Sequence, residues 1–305
     1  MEYLTLIFES SRIFSGNGEC VILHPENAEK YEELCRSAEY YSFRAVEAYI
    51  SGGLGLNELK LAVDRVENEL RCRTGKLVAG DAVFELIPHI FLVNRIVCSG
   101  KVELIPEVQI YACPAPASEN DINDIKLKRV KNVEKTLEKI RKAEIKAIKT
   151  GKTDYVSRIN ELEGSMLGYP DCCVKEFSRR KKLRNSGKRV KSLEGEIAEE
   201  YLKQGLHRIL ERAFRDGIEK VEGSIPKTLF ALNFYPCSLS CRKAEKVGEE
   251  CKSFLEEKKY KYLFEAGVLA AMCDIETICV KMGKIKGRDY IYLSPEAVIS
   301  RFTQL

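Results

Sequence analysis

Two short stretches hold the residues best able to do chemistry. The first is Gly168-Tyr169-Pro170-Asp171-Cys172-Cys173, and the second is Tyr235-Pro236-Cys237-Ser238-Leu239-Ser240-Cys241. Both run Tyr-Pro, then cysteine, then a helical pattern. Pro170 suits the first turn of a helix and Asp171 can cap it, so Cys172 and Cys173 fall at a helix start. Cys237 and Cys241 are four apart, which puts them on one face of a helix expected to follow a strand. The free N–H groups and positive potential of a helix N-terminus favour thiolate over thiol. Four thiolates packed together repel, and a soft cation relieves that repulsion. The two stretches are therefore expected to meet, with Cys172, Cys173, Cys237 and Cys241 as ligands of zinc or of an iron–sulfur cluster.

The same residues allow a metal-free reading. Cys237 as attacking thiolate and a neighbour such as Cys173 as resolving thiol would make a redox or sulfur-transfer catalyst. A disulfide, or four small buried hydrophobes, are the blander alternatives. The CxxxCxxC signature of radical S-adenosylmethionine enzymes is absent, because Arg242-Lys243-Ala244 follows Cys241. Cys251 is a spare ligand candidate on the helix that begins near Cys241. Of the three histidines, His24, His89 and His207, none has zinc spacing to another. His207 lies between the two stretches in sequence and is the one expected to approach the site.

Residues 177–192 read FSRRKKLRNSGKRVKS, with eight Lys or Arg and no acidic residue. The run continues the helix that starts at Cys172. Arg179, Arg180, Lys181 and Lys182 are candidates to hold an anionic substrate, RNA among them, close to the thiols. A solvated basic face is the simpler reading. Tyr169 and Tyr235 flank the cysteines and offer hydroxyls to a sulfur or a substrate. A zinc-stabilised nucleic-acid-binding protein without catalysis is a further possibility. Ser51-Gly52-Gly53-Leu54-Gly55 follows no strand and reads as a helix stop, not a phosphate loop.

The elements GYPxCC-x₃-F, from Gly168 to Phe177, and PCS-x₂-C, from Pro236 to Cys241, resemble the archaeal and bacterial family catalogued as domain of unknown function 483. The resemblance covers about residues 165–245. It implies that these cysteines are the family's shared feature, and it supplies no activity.

Positioning these residues falls to an α+β chain of 305 residues. The net charge of +4 is small for this length, so any nucleic-acid contact must be local. No basic leader and no long apolar run is evident, which reads as a cytoplasmic protein with no membrane segment. Abundant Lys and Glu with scarce Gln suggest a heat-adapted source. Twelve cysteines in a reducing compartment point to thiols, metal ligands or catalytic groups. Residues 1–116 read as a mixed α/β domain, 117–152 as a charged linker helix, and 153–305 as a mainly helical domain with a small sheet that carries the cysteines.

Within this frame the chain start reads as a strand, and Ser15-Gly16-Asn17-Gly18 as a turn into a second strand over 19–24. Helices are expected over 27–50 and 57–71, the latter capped by Asn57. Strands are expected over 82–97 and 102–113, interrupted by Pro88 and Pro106. Cys113-Pro114-Ala115-Pro116-Ala117 reads as a linker. The helix over 122–149 carries Val130, Val133, Leu137 and Ile140 on one face, for packing within the chain. A helix from Ser192 to about Asp216, a buried strand over Thr228–Tyr235, helices over 239–257 and 260–275, and a hairpin over 283–293 complete the reading.

Overall fold

The computed structural model describes residues 4–23, 29–79, 82–95, 101–116, 122–230, 235–258 and 260–285. Among the described residues the fold is α+β, with ten α-helices and a four-stranded antiparallel sheet. The helices are α1 Leu4–Phe14, α2 Glu29–Ile50, α3 Leu56–Thr74, α4 Ile122–Thr150, α5 Asp154–Met166, α6 Asp171–Asn185, α7 Leu193–Lys203, α8 Leu206–Asp216, α9 Arg242–Glu257 and α10 Lys261–Lys281. The strands are β1 Val21–Leu23, β2 Lys76–Ala79, β3 Ala82–Val93 and β4 Leu104–Pro116, in the order β1-β4-β3-β2.

Strand residues alternate between two faces, and both faces are covered. Phe84, Leu86, Ile90, Leu92, Ile110 and Ala112 pack with α2 and α3, in a core that continues into α7, α8 and α10. Ile87, Phe91, Tyr111 and Cys113 face the other way, onto Val133, Leu137 and Ile140 of α4 and Ile159 of α5. The apolar stripe read along α4 is thus spent inside the chain. One core cluster joins residues from α1, the sheet and the C-terminal helices.

The long strands β3 and β4 outrun their short neighbours, and glutamates close the open edges. Ile90 donates its N–H to Glu67 Oε2 at 2.9 Å, and Val108 donates to Glu39 Oε1 at 3.1 Å. An irregularity lies between Phe91 and Val93, and there Glu144 Oε1 accepts from both Leu92 and Val93, at 2.6 and 3.2 Å. Backbone N–H groups alternate sides along a strand. By that alternation the missing N–H groups of Pro88, Pro106, Pro114 and Pro116 all fall on these open edges, where a proline costs no ladder bond. Both strands therefore run through their prolines.

Several sequence expectations are corrected. The chain start is helix α1, not a strand; residues 6–13 are all buried there, so no polar face marks a helical period. The turn at 15–18 accordingly joins a helix to β1. The Cys113–Pro116 linker is the end of β4, with Pro114 opposite Phe84 and Pro116 opposite Ala82. The cap of α3 is Gly55, whose N–H is accepted by Glu58 Oε2 at 2.6 Å, not Asn57. The helix begun at Ser192 breaks at Gln204-Gly205, where Gly205 takes a φ of 70°. Lys227–Phe230 is a 3₁₀ turn, not a strand; a short buried apolar run suits either, and here it packs on α9 and α10. Residues 231–234, and the expected hairpin from residue 286 onward, lie outside the described residues.

Candidate metal centre

The first cysteine pair is set by the turn between α5 and α6. Gly168 has a φ of 77° and lets the chain reverse after α5. It also lies against the turn after α1: a Cβ on Gly168 would sit 2.2 Å from the Asn17 carbonyl oxygen, and one on Gly18 would sit 2.6 Å from the Gly168 nitrogen. Glu19 donates its N–H to the Met166 carbonyl at 2.9 Å. Tyr169 follows, with the Arg12 guanidinium 5.0 Å from its ring centre. Burial, partly offset by Arg12, pushes the Tyr169 hydroxyl up to about 12. Pro170 is the cap residue of α6, and its carbonyl accepts from Cys173 and Val174 at 2.8 and 3.0 Å. Asp171 is in the first turn rather than at the cap.

The second pair lies on a loop, not on one helix face. Cys241 is the cap residue of α9, which begins at Arg242, so Cys237 precedes the helix. The loop between them is pinned inward. Leu239 is buried, its N–H donates to Glu200 Oε2 of α7 at 2.9 Å, and its carbonyl accepts from Thr228 Oγ1 at 3.0 Å.

The two pairs meet. Cys172 Sγ is 3.9 Å from Cys173 Sγ and 3.5 Å from Cys241 Sγ, and Cys173 Sγ is 3.8 Å from Cys241 Sγ. With Cys237 included, all four sulfurs lie within 4.8 Å of one another. The Cys237 N–H donates to Cys173 Sγ at 3.3 Å. Cys173 and Cys241 are buried, while Cys172 and Cys237 are half-buried. Thiolate is not favoured throughout, as the helix-start argument expected. Burial, with repulsion from the neighbouring sulfurs, pushes the Cys173 thiol up despite the Cys237 N–H, and burial pushes Cys237 up to about 12. Burial also opposes ionisation of Cys241, but the Ala244 N–H and the surrounding thiols hold it below the usual range.

The other candidates divide. His207 and Cys251 are not in the four-sulfur group. Cys251 is buried against α1, where Ser11 and Ser15 bond its sulfur. His24 lies outside the described residues. Tyr169, Lys181 and Tyr235 line one cavity with Cys173, and the Tyr235 hydroxyl donates to Asp274. Arg179, Arg180 and Lys182 are engaged elsewhere. Arg179 pairs with Glu176, Arg180 bridges Glu176 and Glu196 at 2.6 Å each, and Lys182 pairs with Asp154 at 2.7 Å. Asn160, Glu163 and Arg95 also line the cavity and were not legible in the sequence, since only the folded chain brings α5 beside Arg95, just after β3.

No helix among the described residues is long and apolar enough to cross a membrane. No curated protein and no solved structure matches the chain. Residues 126–268 do match a family model, described as a protein of unknown function (DUF483), and the match extends well beyond the two motifs on both sides. That match runs from within α4 to within α10 and includes all four clustered cysteines, so over this span the chain is similar to the family of unknown function DUF483.

Proposed function

We propose that Cys172, Cys173, Cys237 and Cys241 hold one zinc ion as four thiolates, and that this centre fastens the start of α6 to the loop before α9. The observation that carries the reading is the approach of all four sulfurs to within 4.8 Å of one another. A tetrahedral zinc site with bonds of about 2.3 Å has its sulfurs about 3.8 Å apart. The three separations among Cys172, Cys173 and Cys241, at 3.5, 3.8 and 3.9 Å, centre on that value, and Cys237 Sγ lies within 4.8 Å of each. An iron–sulfur cluster bound by four cysteines spreads them over several irons and so needs a wider set of sulfurs.

Four cysteines leave no position for water or substrate, which is the pattern of a structural zinc site rather than a catalytic one. On this reading the thiols are ligands, and Cys237 and Cys173 are not nucleophiles. The burial of Cys173 and Cys241, at 2% and 8% exposure, supports that view over a metal-free thiol catalyst. The centre then serves as scaffold for a protein that acts on an anionic substrate. RNA is the weaker candidate, because much of the basic run is spent on ion pairs within the chain.

Zinc analysis of the purified protein tests the proposal. It predicts one zinc per chain, lost on replacing Cys173 or Cys241 by serine. Protein isolated anaerobically without zinc, whether metal-free or holding iron, would sink it.

A further inference from the structure

Cys20 and Cys113 form a second cysteine pair, apart from the four-sulfur centre. Cys20 is the residue before β1, and Cys113 lies in β4. The register sets Val21 opposite Ala112, so one step back Cys20 stands opposite Cys113. Both are free thiols and both are wholly buried. They face α4 and α5, in one cluster with Phe91, Tyr111 and Ile159. A hydrogen bond joins the two thiols.

The type of strand pair decides what they can form. Val108 donates its N–H to Glu39 and not to β3, so that group points to the β1 side of β4. N–H groups two residues apart share a side, so those of Ile110 and Ala112 also point to β1. Leu23–Ile110 and Val21–Ala112 are therefore hydrogen-bonded pairs, and Cys20–Cys113 is a non-hydrogen-bonded one. In such a pair the Cα atoms are about 4.5 Å apart and the side chains approach most closely. A disulfide spans Cα separations of about 4.4–6.8 Å, so the backbone already meets its demand.

Strand β1 gains most from a crosslink. It is a three-residue edge strand paired with β4 alone. Just before it come the Glu19 N–H bond to Met166 and the Gly18 contact with Gly168. A bond at residue 20 would fix that turn as well as the strand.

We infer that Cys20 and Cys113 are a modification site, oxidised to a disulfide that staples β1 to β4. The inference stands whether or not the four clustered cysteines hold metal. The oxidant is another disulfide. One thiolate attacks it and releases a thiol, and the second thiolate attacks the mixed disulfide and releases another. The pair loses two electrons and two protons, and the two sulfurs of the oxidant take them up. Burial pushes the Cys20 thiol up and keeps the oxidant out, so the exchange precedes the docking of β1.

The test refolds the reduced full chain from urea in oxidised and reduced glutathione with zinc, then digests it with trypsin without reduction. Cleavage after Arg12 and Lys30, and after Lys101 and Lys126, leaves each of the two cysteines alone in its peptide. The expected product is peptide 13–30 joined to peptide 102–126, two hydrogens lighter than their sum. Reduction should then lower the thermal midpoint of the wild type by at least about 5 °C, because the bridge closes a long loop. Cys20→Ala, which keeps all four clustered cysteines, should lose that shift. Peptide mapping needs no variant, so it decides the matter even if Cys20→Ala fails to fold. Recovery of the two peptides unlinked to each other, or equal midpoint shifts in wild type and variant, would overturn the inference.

Discussion

Gly18 and Gly168 lie back to back, both at positive φ, with backbone against backbone. This contact docks the turn after α1 onto the turn that presents Cys172 and Cys173. Any Cβ on Gly168 would meet the Asn17 carbonyl and any on Gly18 would meet Gly168, so neither side can give way cheaply. Gly168→Ala or Gly18→Ala is expected to destabilise the fold by about 2–4 kcal/mol, through clash and left-handed strain together. Gly16, at a φ of 92° but with open space around its Cβ position, is the control. Gly16→Ala should cost only about 1 kcal/mol. Urea unfolding of the three variants reads the difference, and equal costs would mean that the close approach carries no weight.

The glutamates that close the sheet edge predict an acid transition. Burial alone would raise Glu67, but His89, Arg141 and the Ile90 N–H together hold it at about 2. A carboxylate lowered in the folded state stabilises at neutral pH, and that contribution is lost as pH falls from about 4.5 through 2. It amounts to about 3 kcal/mol. Glu67→Gln should therefore flatten the dependence of unfolding free energy on pH between about 5 and 2. A slope equal to the wild type's would contradict the assignment.

Lys181 should titrate apart from the surface lysines. Burial lowers its ammonium to about 8, and the neighbouring Arg95 adds to the effect. In competitive labelling with acetic anhydride, Lys181 should reach half-maximal reactivity near pH 8, as its lowered value implies. Ordinary lysines reach it above about pH 10. Labelling of Lys181 in step with the others would show that the pocket does not desolvate it.

Metal removal should couple to both thiol access and stability. If zinc holds the four cysteines, a chelator should add four to the number of thiols that react with an aromatic disulfide reagent. The melting temperature should fall by about 10 °C or more, since a tightly held ion contributes several kcal/mol and each kcal/mol is about 2–4 °C at this size. A chelator that changes neither would place the stabilisation elsewhere.

How much of this was legible in the sequence follows from what kind of information each feature needs. The four cysteines were readable because residue type and local spacing carry their chemistry, and a Tyr-Pro before each pair marks a turn. The long amphipathic α4 was readable because one face is polar. Helix α1 was not, because it is buried all round and shows no helical period. Pro114 and Pro116 looked like a linker because the sequence does not reveal that their side of β4 is an open edge. Gly168 belonged to a visible motif, but its partner Gly18 is 150 residues away in a turn read only as a local reversal. Asn160 and Arg95 carry no local signal; α5 and the end of β3 bring them together only in the folded chain. Which residues of the basic run are paired within the chain could not be read, because pairing of Arg180 with Glu196 is a tertiary fact.

X-ray absorption at the metal edge of the purified protein tests the central claim most directly. The account predicts one zinc per chain with four sulfur neighbours at about 2.3 Å and no second metal in the shell beyond. A protein without metal, a shell containing nitrogen or oxygen, or metal–metal scattering from a cluster would contradict it.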